Sequence, residues 1–199
     1  MIIRSVEYAG SVASTKNPLP GNLPQVAFSG RSNVGKSSLI NTLLGRTRKK
    51  VAHVSSKPGK TRMLNFYRVN ERFFLVDLPG FGFAKAPGTV REGWKRLVEW
   101  YLSRPDGVSG VVHLVDGRHP PFALDQEMME YLGDLGIPAL VVLTKMDRVP
   151  KGKRKKTMDR AAEDLGLDPE QLLAFSSKTK EGREALLAAL DELLPPGES

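Results

Sequence analysis

The segment Gly30–Ser38, which reads GRSNVGKSS, separates the apolar run PQVAF from a stretch with helical periodicity. Its spacing, Gly30-x-x-x-x-Gly35-Lys36-Ser37, is typical of a P-loop between a strand and a helix. In such a loop, glycines let backbone N–H groups surround phosphate oxygens, the lysine reaches the terminal phosphates, and the serine hydroxyl can bind Mg²⁺. The alternative is a glycine-rich turn with a lysine at a helix start by chance. The spacing favours a site for a nucleoside triphosphate.

Short apolar runs alternate along the chain with longer amphipathic patterns. This alternation predicts a three-layer α/β fold, in which helices flank a mainly parallel, six-stranded sheet and ligands bind at the carboxyl ends of the strands. The helical pattern is strongest over residues 91–102, where five apolar side chains share one face: Trp94, Leu97, Val98, Tyr101 and Leu102. Trp100 lies off that face, and packing at the helix flank is favoured for it over stacking on a nucleic-acid base.

One domain is predicted over residues 23–195, preceded by a lead-in, residues 1–22, that ends in turns and packs on it. The chain has no cysteine, and its three histidines have no ligand-like spacing, which argues against disulfides and zinc. No apolar stretch approaches the roughly 20 residues that span a bilayer, and the amino terminus lacks the apolar centre of a signal peptide. We therefore expect a cytoplasmic protein without membrane contact, and a monomer as the default.

Two later motifs bear on the base of the nucleotide. Thr144-Lys145-Met146-Asp147 ends a predicted strand, and a carboxylate there can accept hydrogen bonds from N1–H and the 2-amino group of guanine, donors that adenine does not present on that edge. Lys145 would lie along the nucleotide, and the backbone N–H groups of Ser176, Ser177 and Lys178 would close the base pocket. Taken alone, the first motif could be a helix cap or a surface turn. Together with the P-loop, the two motifs favour GTP over ATP.

The residues between the P-loop and the guanine motif include candidate metal ligands. Asp77 ends a predicted strand and is followed by LPG, so its carboxylate can hold Mg²⁺ through water and the Gly80 N–H can contact the terminal phosphate. Thr61, in a polar stretch before a strand, can complete the Mg²⁺ shell, with Ser55 and Ser56 as local alternatives. Loss of the terminal phosphate would release the segment after Gly80.

These motifs occur in the order and spacing of translation-related GTPases, and the chain resembles the YihA/EngB family of bacterial ribosome-biogenesis GTP-binding proteins from Leu23 to about Leu194. The resemblance implies a Ras-like G domain, binding of GTP and GDP with Mg²⁺, slow GTP hydrolysis, and a role in large-subunit assembly and cell division. Ser37, Thr61 and Asp77 would bind the metal, and Lys36, Thr61 and Gly80 would act in hydrolysis. The nucleotide positions carried over are Gly30, Arg31, Ser32, Asn33, Val34, Gly35, Lys36, Ser37, Ser38, Gly59, Lys60, Thr61, Arg62, Met63, Asp77, Leu78, Pro79, Gly80, Thr144, Lys145, Met146, Asp147, Phe175, Ser176 and Ser177.

Phe81 follows Gly80 at the position where Ras-type enzymes carry the glutamine that orients the attacking water. A hydrophobic residue is usual there among relatives of this family, so slow turnover is expected and the water is left without an assigned partner. Asn33 matches the asparagine with which some related GTPases hold K⁺ against the phosphates. The alternative is an asparagine that tolerates the loop geometry.

Lys and Arg number 30 against 22 for Asp and Glu, a net charge of +8 that favours polyanions. Two basic runs suggest contacts with rRNA phosphates; the alternatives are a solvated surface or a charge bias at a helix end. The runs comprise Arg46, Arg48, Lys49 and Lys50, and Lys151, Lys153, Arg154, Lys155 and Lys156. Lys57, Lys60 and Arg62 lie in the predicted switch, so RNA contact could depend on the bound nucleotide. The resemblance implies the large ribosomal subunit or its precursor as partner, and not DNA or a membrane.

Three functions from different classes are compatible with these features. The first is a GTPase switch that binds immature large subunits in one nucleotide state. The second is a basic ribosome-docking module in which GTP only rigidifies the structure, and the third is a small P-loop phosphotransferase. The guanine motif and the lack of an obvious arginine-rich lid argue against the phosphotransferase. The first two hypotheses differ in kinetics, on which the sequence is silent.

Overall fold

The computed structural model describes residues 1–45, 63–81, 88–104 and 107–195, and of residues 88–91 and 94 only the helical backbone. The strands are β1 Val6–Val12, β2 Gln25–Gly30, β3 Leu64–Val69, β4 Phe73–Asp77, β5 Gly110–Asp116, β6 Ala139–Thr144 and β7 Leu172–Ala174. The helices are α1 Lys36–Leu43, α2 Gly88–Leu102, α3 Ala123–Asp134, α4 Lys151–Leu165 and α5 Arg183–Leu193, with 3₁₀ turns at Met146–Arg148 and Pro169–Gln171.

All described strands belong to one sheet in the order β1-β3-β4-β2-β5-β6-β7. The pairs β4-β2, β2-β5, β5-β6 and β6-β7 are parallel, whereas β1-β3 and β3-β4 are antiparallel. The predicted α/β fold with a mainly parallel sheet is confirmed, because buried parallel strands read as the near-continuous apolar runs seen in β2 and β5. The carboxyl ends of β2, β4, β5 and β6 meet at one edge, where the P-loop and the guanine motif begin.

The sheet has seven strands, not the six expected from the sequence. The additional strand, β1, lies within the predicted lead-in and pairs with β3. Asn70 holds the chain before β1: its Oδ1 accepts hydrogen bonds from the Arg4 N–H at 2.7 Å and the Ser5 N–H at 3.1 Å, and its Nδ2 donates to the Ile2 carbonyl at 2.6 Å. The division of the chain at residue 23 stays a prediction.

Helices cover both faces of the sheet. One core cluster joins the buried faces of α1 and α5, through residues such as Leu39 and Leu186, to the strands. On the other face, Leu97 and Tyr101 of α2 and Leu132 of α3 pack on the sheet, and α4 continues that layer over β6 and β7. No helix in the described part of the chain combines the length and apolar character needed to cross a membrane.

Three of the four described side chains on the predicted apolar face of α2 are buried, and Val98 is half-buried. Leu97, Tyr101 and Leu102 are in the core, and the Tyr101 hydroxyl donates to the buried Gln25 Oε1 at 2.9 Å, so both polar groups are satisfied. Burial raises the pKa of the Tyr101 phenol well above its usual value. Trp100 packs partly buried against the same cluster, as expected from its place on the helix.

Candidate functional site

The P-loop turns from β2 into α1 through a backbone that few residue types adopt. Asn33 has a φ of 65° and Gly35 a φ of 106°, both in the left-handed region. A Cβ on Gly30 would lie 2.9 Å from the Leu114 carbonyl oxygen and 3.1 Å from Val34 Cγ1, so only glycine fits there. Within the described residues no side chain caps α1. The first backbone N–H groups of α1 are therefore suited to bind an anion, and the helix dipole strengthens this attraction.

Lys36, the first residue of α1, pairs through its Nζ with Asp77 Oδ1 at the end of β4. Both side chains are buried. Burial lowers the pKa of the Lys36 ammonium, while the adjacent carboxylate opposes this by favouring the charged form. The parallel pairing of β2 with β4 sets Asp77 opposite Phe28, next to the strand that leads into the loop. The predicted phosphate-binding lysine and metal-binding aspartate thus lie side by side.

The segment after Asp77 runs along the start of the P-loop. The Phe81 N–H donates to the Gly30 carbonyl at 3.3 Å, and the Ser32 N–H donates to the Phe81 carbonyl at 3.0 Å. A Cβ on Gly80 would lie 3.2 Å from Ser32 Oγ, so a side chain there would press on the loop. The backbone at Gly80 and Phe81 is therefore in direct contact with the P-loop.

The guanine motif contacts the same loop from β6. The Thr144 hydroxyl donates to the Val34 carbonyl at 2.6 Å. Lys145, with a φ of 60°, extends its Nζ to the Asn33 carbonyl at 2.7 Å, and its Cε would lie 3.7 Å from a Cβ on Gly35. Thr144 and Lys145 thereby attach the predicted guanine motif to the P-loop.

Asp147 is held by the second base segment, residues 175–177. The Ser176 hydroxyl donates to Asp147 Oδ1 at 2.7 Å and accepts from the N–H groups of Lys178 and Thr179, each at 3.2 Å. The Met146 N–H donates to the Phe175 carbonyl at 3.2 Å. Because Ser176 is fully buried, its hydroxyl fixes the direction of the Asp147 carboxylate.

Comparison with known proteins decides the family. Residues 25–145 match the family described as "50S ribosome-binding GTPase". A probable GTP-binding protein EngB of Pelotomaculum thermopropionicum is 48% identical over 191 residues, covering 96% of each chain. That of Bacillus subtilis is 46% identical over 175 residues, covering 87% of this chain and 89% of its own. The chain belongs to the EngB family of GTP-binding proteins.

Solved structures agree with this family. A crystal structure of a probable GTP-binding protein EngB has a TM-score of 0.71 and 27% identity, covering 85% of this chain and 97% of that one. A point variant of Era from Aquifex aeolicus, bound to GDP·AlF₄⁻, has a TM-score of 0.68 and 26% identity, covering 88% of this chain and 58% of that one. The EngB-family chain is a GTPase with a P-loop fold, which removes the phosphotransferase hypothesis.

Asp116 is a site residue that the sequence reasoning missed in this EngB-family chain. Its carboxylate accepts from Lys145 Nζ at 2.8 Å and from Arg118 Nε and Nη2 at 2.9 and 2.6 Å. Burial alone would raise the pKa of Asp116, but the hydrogen bonds from Arg118 and Lys145 outweigh it and lower the pKa well below its usual value. An aspartate that ends a strand beside the P-loop, as Asp77 does, was the signal available in the sequence.

The residues present fit Mg²⁺. Within the described ranges, no group of three or more His, Cys, Asp or Glu side chains could hold a metal. The Ser37 hydroxyl and the Asp77 carboxylate are hard oxygen ligands, and Mg²⁺ commonly takes one or two protein oxygens together with phosphate and water oxygens. Gly59, Lys60, Thr61 and Arg62, and the basic run at residues 46–50, lie outside the described residues. Met63 lies just before β3.

Proposed function

We propose that this GTPase is a cytoplasmic, monomeric switch that binds the large ribosomal subunit or its precursor, with rRNA phosphates in the interface and with an affinity set by the bound nucleotide. The observation that carries the proposal is the family description, "50S ribosome-binding GTPase", over residues 25–145. The charge of the chain and the placement of its basic residues support the RNA contact.

In the proposed site, the N–H groups of the P-loop and of the first turn of α1 surround the phosphates, and Lys36 moves from Asp77 to the terminal phosphates. Ser37, Asp77 through water, and Thr61 would hold Mg²⁺. When bound, Mg²⁺ neutralises charge on the terminal phosphates. The Gly80 N–H contacts the γ-phosphate, and its backbone link to the P-loop communicates the loss of that phosphate.

Asp147 selects guanine in this proposal. Ser176 occupies one side of Oδ1, and a carboxylate has about four lone-pair directions, so enough acceptor sites are left for both N1–H and the 2-amino group. Lys145 lies beside the sugar, held by Asn33 and Asp116. Adenine offers no matching pair of donors on that edge, so GTP is bound in preference to ATP.

Asn33 is the proposed K⁺ contact. Its side chain is exposed at the tip of the P-loop, while its carbonyl is taken by Lys145. A K⁺ there would stabilise transition-state charge where an arginine finger acts in other GTPases. We expect hydrolysis of GTP to be several-fold faster in KCl than in NaCl of equal concentration, and Asn33→Ala to remove the difference. Equal rates in the two salts would mean that Asn33 serves only the loop geometry.

The basic run at the start of α4 is placed where helix electrostatics disfavour it. Five of the first six residues of α4 are basic, and no acidic residue lies in its first turn. Cations stabilise the carboxyl end of a helix and destabilise the amino end, so the explanation of a favourable charge bias at a helix end fails here. A local arrangement that costs stability is characteristic of functional surfaces, where contact with a partner compensates for the cost.

Not every cation of this run is free for RNA. Arg154 donates through Nη1 to both carboxylate oxygens of Glu181, at 2.8 and 2.9 Å, and through Nε to the Val149 carbonyl at 3.2 Å. It joins α4 to the loop after the guanine segment and is a structural residue. Lys151, Lys153 and Lys156 are exposed and form the proposed RNA contact.

The test is co-sedimentation with purified large ribosomal subunits in GDP, in a non-hydrolysable GTP analogue and without nucleotide, each at two salt concentrations. We expect the tightest, salt-sensitive binding with the analogue. A triple variant, Lys151→Gln, Lys153→Gln and Lys156→Gln, should bind at least tenfold more weakly. The matched control replaces three exposed cations elsewhere with the same change in net charge: Lys16→Gln, Lys95→Gln and Arg96→Gln.

Three outcomes would contradict the proposal. Equal binding in all three nucleotide states would favour the docking module, in which GTP only rigidifies the structure. Absence of binding in every state would mean that the large subunit is not the partner. An equal loss in both triple variants would show that net charge, and not the α4 surface, provides the attraction.

A further inference from the structure

A polar relay lies under the site and has no role in the proposed function. Ser29 Oγ lies 2.8 Å from His113 Nδ1, and His113 Nε2 lies 3.1 Å from Asp125 Oδ1. Asp125 Oδ2 accepts from the Phe122 N–H at 2.9 Å, at the start of α3. The order resembles the triad of a hydrolase, but Ser29, His113 and Asp125 are all at most 1% exposed, so no substrate reaches the serine.

The relay fixes the plane of the His113 ring. A carboxylate can only accept, so Nε2 carries the proton that is donated to Asp125, and in the neutral imidazole Nδ1 accepts from the Ser29 hydroxyl. Hydrogen bonds at both ring nitrogens leave no freedom of rotation about χ2. The three side chains come from β2, β5 and α3, so the orientation of the ring depends on the relative position of these elements.

Phe81 stacks on this ring in a parallel, offset arrangement. The two ring centroids are 5.6 Å apart and the planes are inclined by 12°. The backbone of Phe81 is paired with Gly30 and Ser32 of the P-loop, and the preceding residue is Gly80. Phe81, at the position of the water-orienting glutamine, is therefore held by its ring against His113 and by its backbone against the P-loop.

A second set of contacts, made by Arg31, links Phe122 back to Phe81. The Arg31 guanidinium lies 3.6 Å from the centroid of the Phe122 ring, and Arg31 forms a backbone bridge with Phe81. Phe122 in turn is held by Asp125. The path from Phe81 through His113, Asp125 and Phe122 returns to Phe81 by way of Arg31, so displacement of one member strains the others.

We propose that His113 is a positioning residue for GTP hydrolysis: its fixed imidazole plane seats Phe81 and thereby places the Gly80 N–H. The inference rests on the GTPase activity and on the proposed contact of the Gly80 N–H with the γ-phosphate, and not on the ribosomal partner. A donor aimed at developing charge acts only when it is held within a fraction of an ångström, and a shift of about 1 Å can cost 10²-fold in rate. His113 touches no reacting atom and acts through Phe81.

The experiment measures single-turnover GTP hydrolysis and the affinity for GDP in the full chain. His113→Gln keeps a donor for Asp125 but removes the flat ring. We expect its hydrolysis rate to fall roughly tenfold while the GDP affinity changes less than twofold, since GDP lacks the γ-phosphate that Gly80 contacts. Ser29→Ala keeps the ring and removes one of its two anchors, and its rate should fall by a smaller factor.

A double-mutant cycle separates positioning from a general structural role. In a Phe81→Ala protein, His113→Gln should change the rate less than twofold, because the residue through which it acts is gone. Tyr101→Phe is the matched control: it removes a buried hydrogen bond from α2 to Gln25 of β2, and should lower the melting temperature without altering the rate.

Three results would overturn the proposal. The rate loss from His113→Gln could be the same in the Phe81→Ala protein as in the parent. The GDP affinity could fall in parallel with the rate, as a general loosening of the fold predicts. Tyr101→Phe could slow hydrolysis as much as His113→Gln does. If His113→Gln does not fold, the same cycle is run with Ser29→Ala, and additivity there contradicts positioning equally.

Discussion

Asp147 decides the base preference of the proposed GTP site. Asp147→Asn replaces an acceptor by a donor opposite guanine N1–H or the 2-amino group, so we expect GTP affinity to fall by about 2–4 kcal/mol. Binding of xanthosine triphosphate, which presents an oxygen in place of the 2-amino group, should rise relative to GTP. Titration with fluorescent nucleotide analogues measures both. Unchanged GTP affinity would show that Asp147 does not contact the base.

Asp116 holds Lys145 against the P-loop, and Asp116→Asn removes the charge that does so. The amide can still accept one hydrogen bond, so we expect a loss in GTP affinity of about 1–2 kcal/mol rather than its abolition. Asp134→Asn, on the exposed side of α3, is the control and should leave GTP affinity unchanged. An effect of equal size in both variants would trace the loss to net charge.

The same aspartate makes stability depend on acid pH. Its pKa in the folded chain is lower than its ordinary value of 3.8, so the folded chain binds fewer protons than the unfolded chain. The stabilisation is therefore complete above about pH 4 and is lost as the pH falls below it. Urea unfolding between pH 5 and 2.5 should show a smaller decline for Asp116→Asn than for the parent. Parallel curves would contradict the role of this carboxylate.

At the scale of elements, one side chain of the turn between β3 and β4 anchors the segment that leads into β1. Asn70 makes three hydrogen bonds to the backbone of residues 2–5 and has a φ of 53°, which asparagine tolerates better than most residues. Asn70→Ala should lower the free energy of unfolding by about 2 kcal/mol and raise amide exchange in β1. Asn22→Ala, an exposed asparagine before β2, should have no such effect.

The strands that sequence reasoning found and the one it missed differ in burial. β2 and β5 are buried along almost their whole length, and their apolar runs predict them directly. β1 lies at the edge of the sheet, is mostly half-buried rather than buried, and carries a bulge between Tyr8 and Gly10. A polar, interrupted edge strand has no periodicity that distinguishes it from a loop, so only its pairing with β3 defines it.

At the scale of the whole molecule, attraction to the ribosome should depend on salt in proportion to the phosphates neutralised. If the three α4 lysines each neutralise one rRNA phosphate, their replacement by glutamine should reduce the slope of log affinity against log salt by about two to three. The control triple variant on residues 16, 95 and 96 should keep the slope of the parent. An unchanged slope in the α4 variant would place the RNA contact elsewhere.

The family, the α/β class and the motifs that propose GTP as ligand could all be read from the sequence, because local spacing specifies local structure and a P-loop needs its glycines and lysine close together along the chain. Which distant residues meet became visible only in the folded chain. The pairing of Lys36 with Asp77, of Lys145 with Asp116, and of Phe81 with His113 joins residues 29 to 41 positions apart. Such contacts follow from strand order and register, which depend on burial of the whole core and leave no local signature.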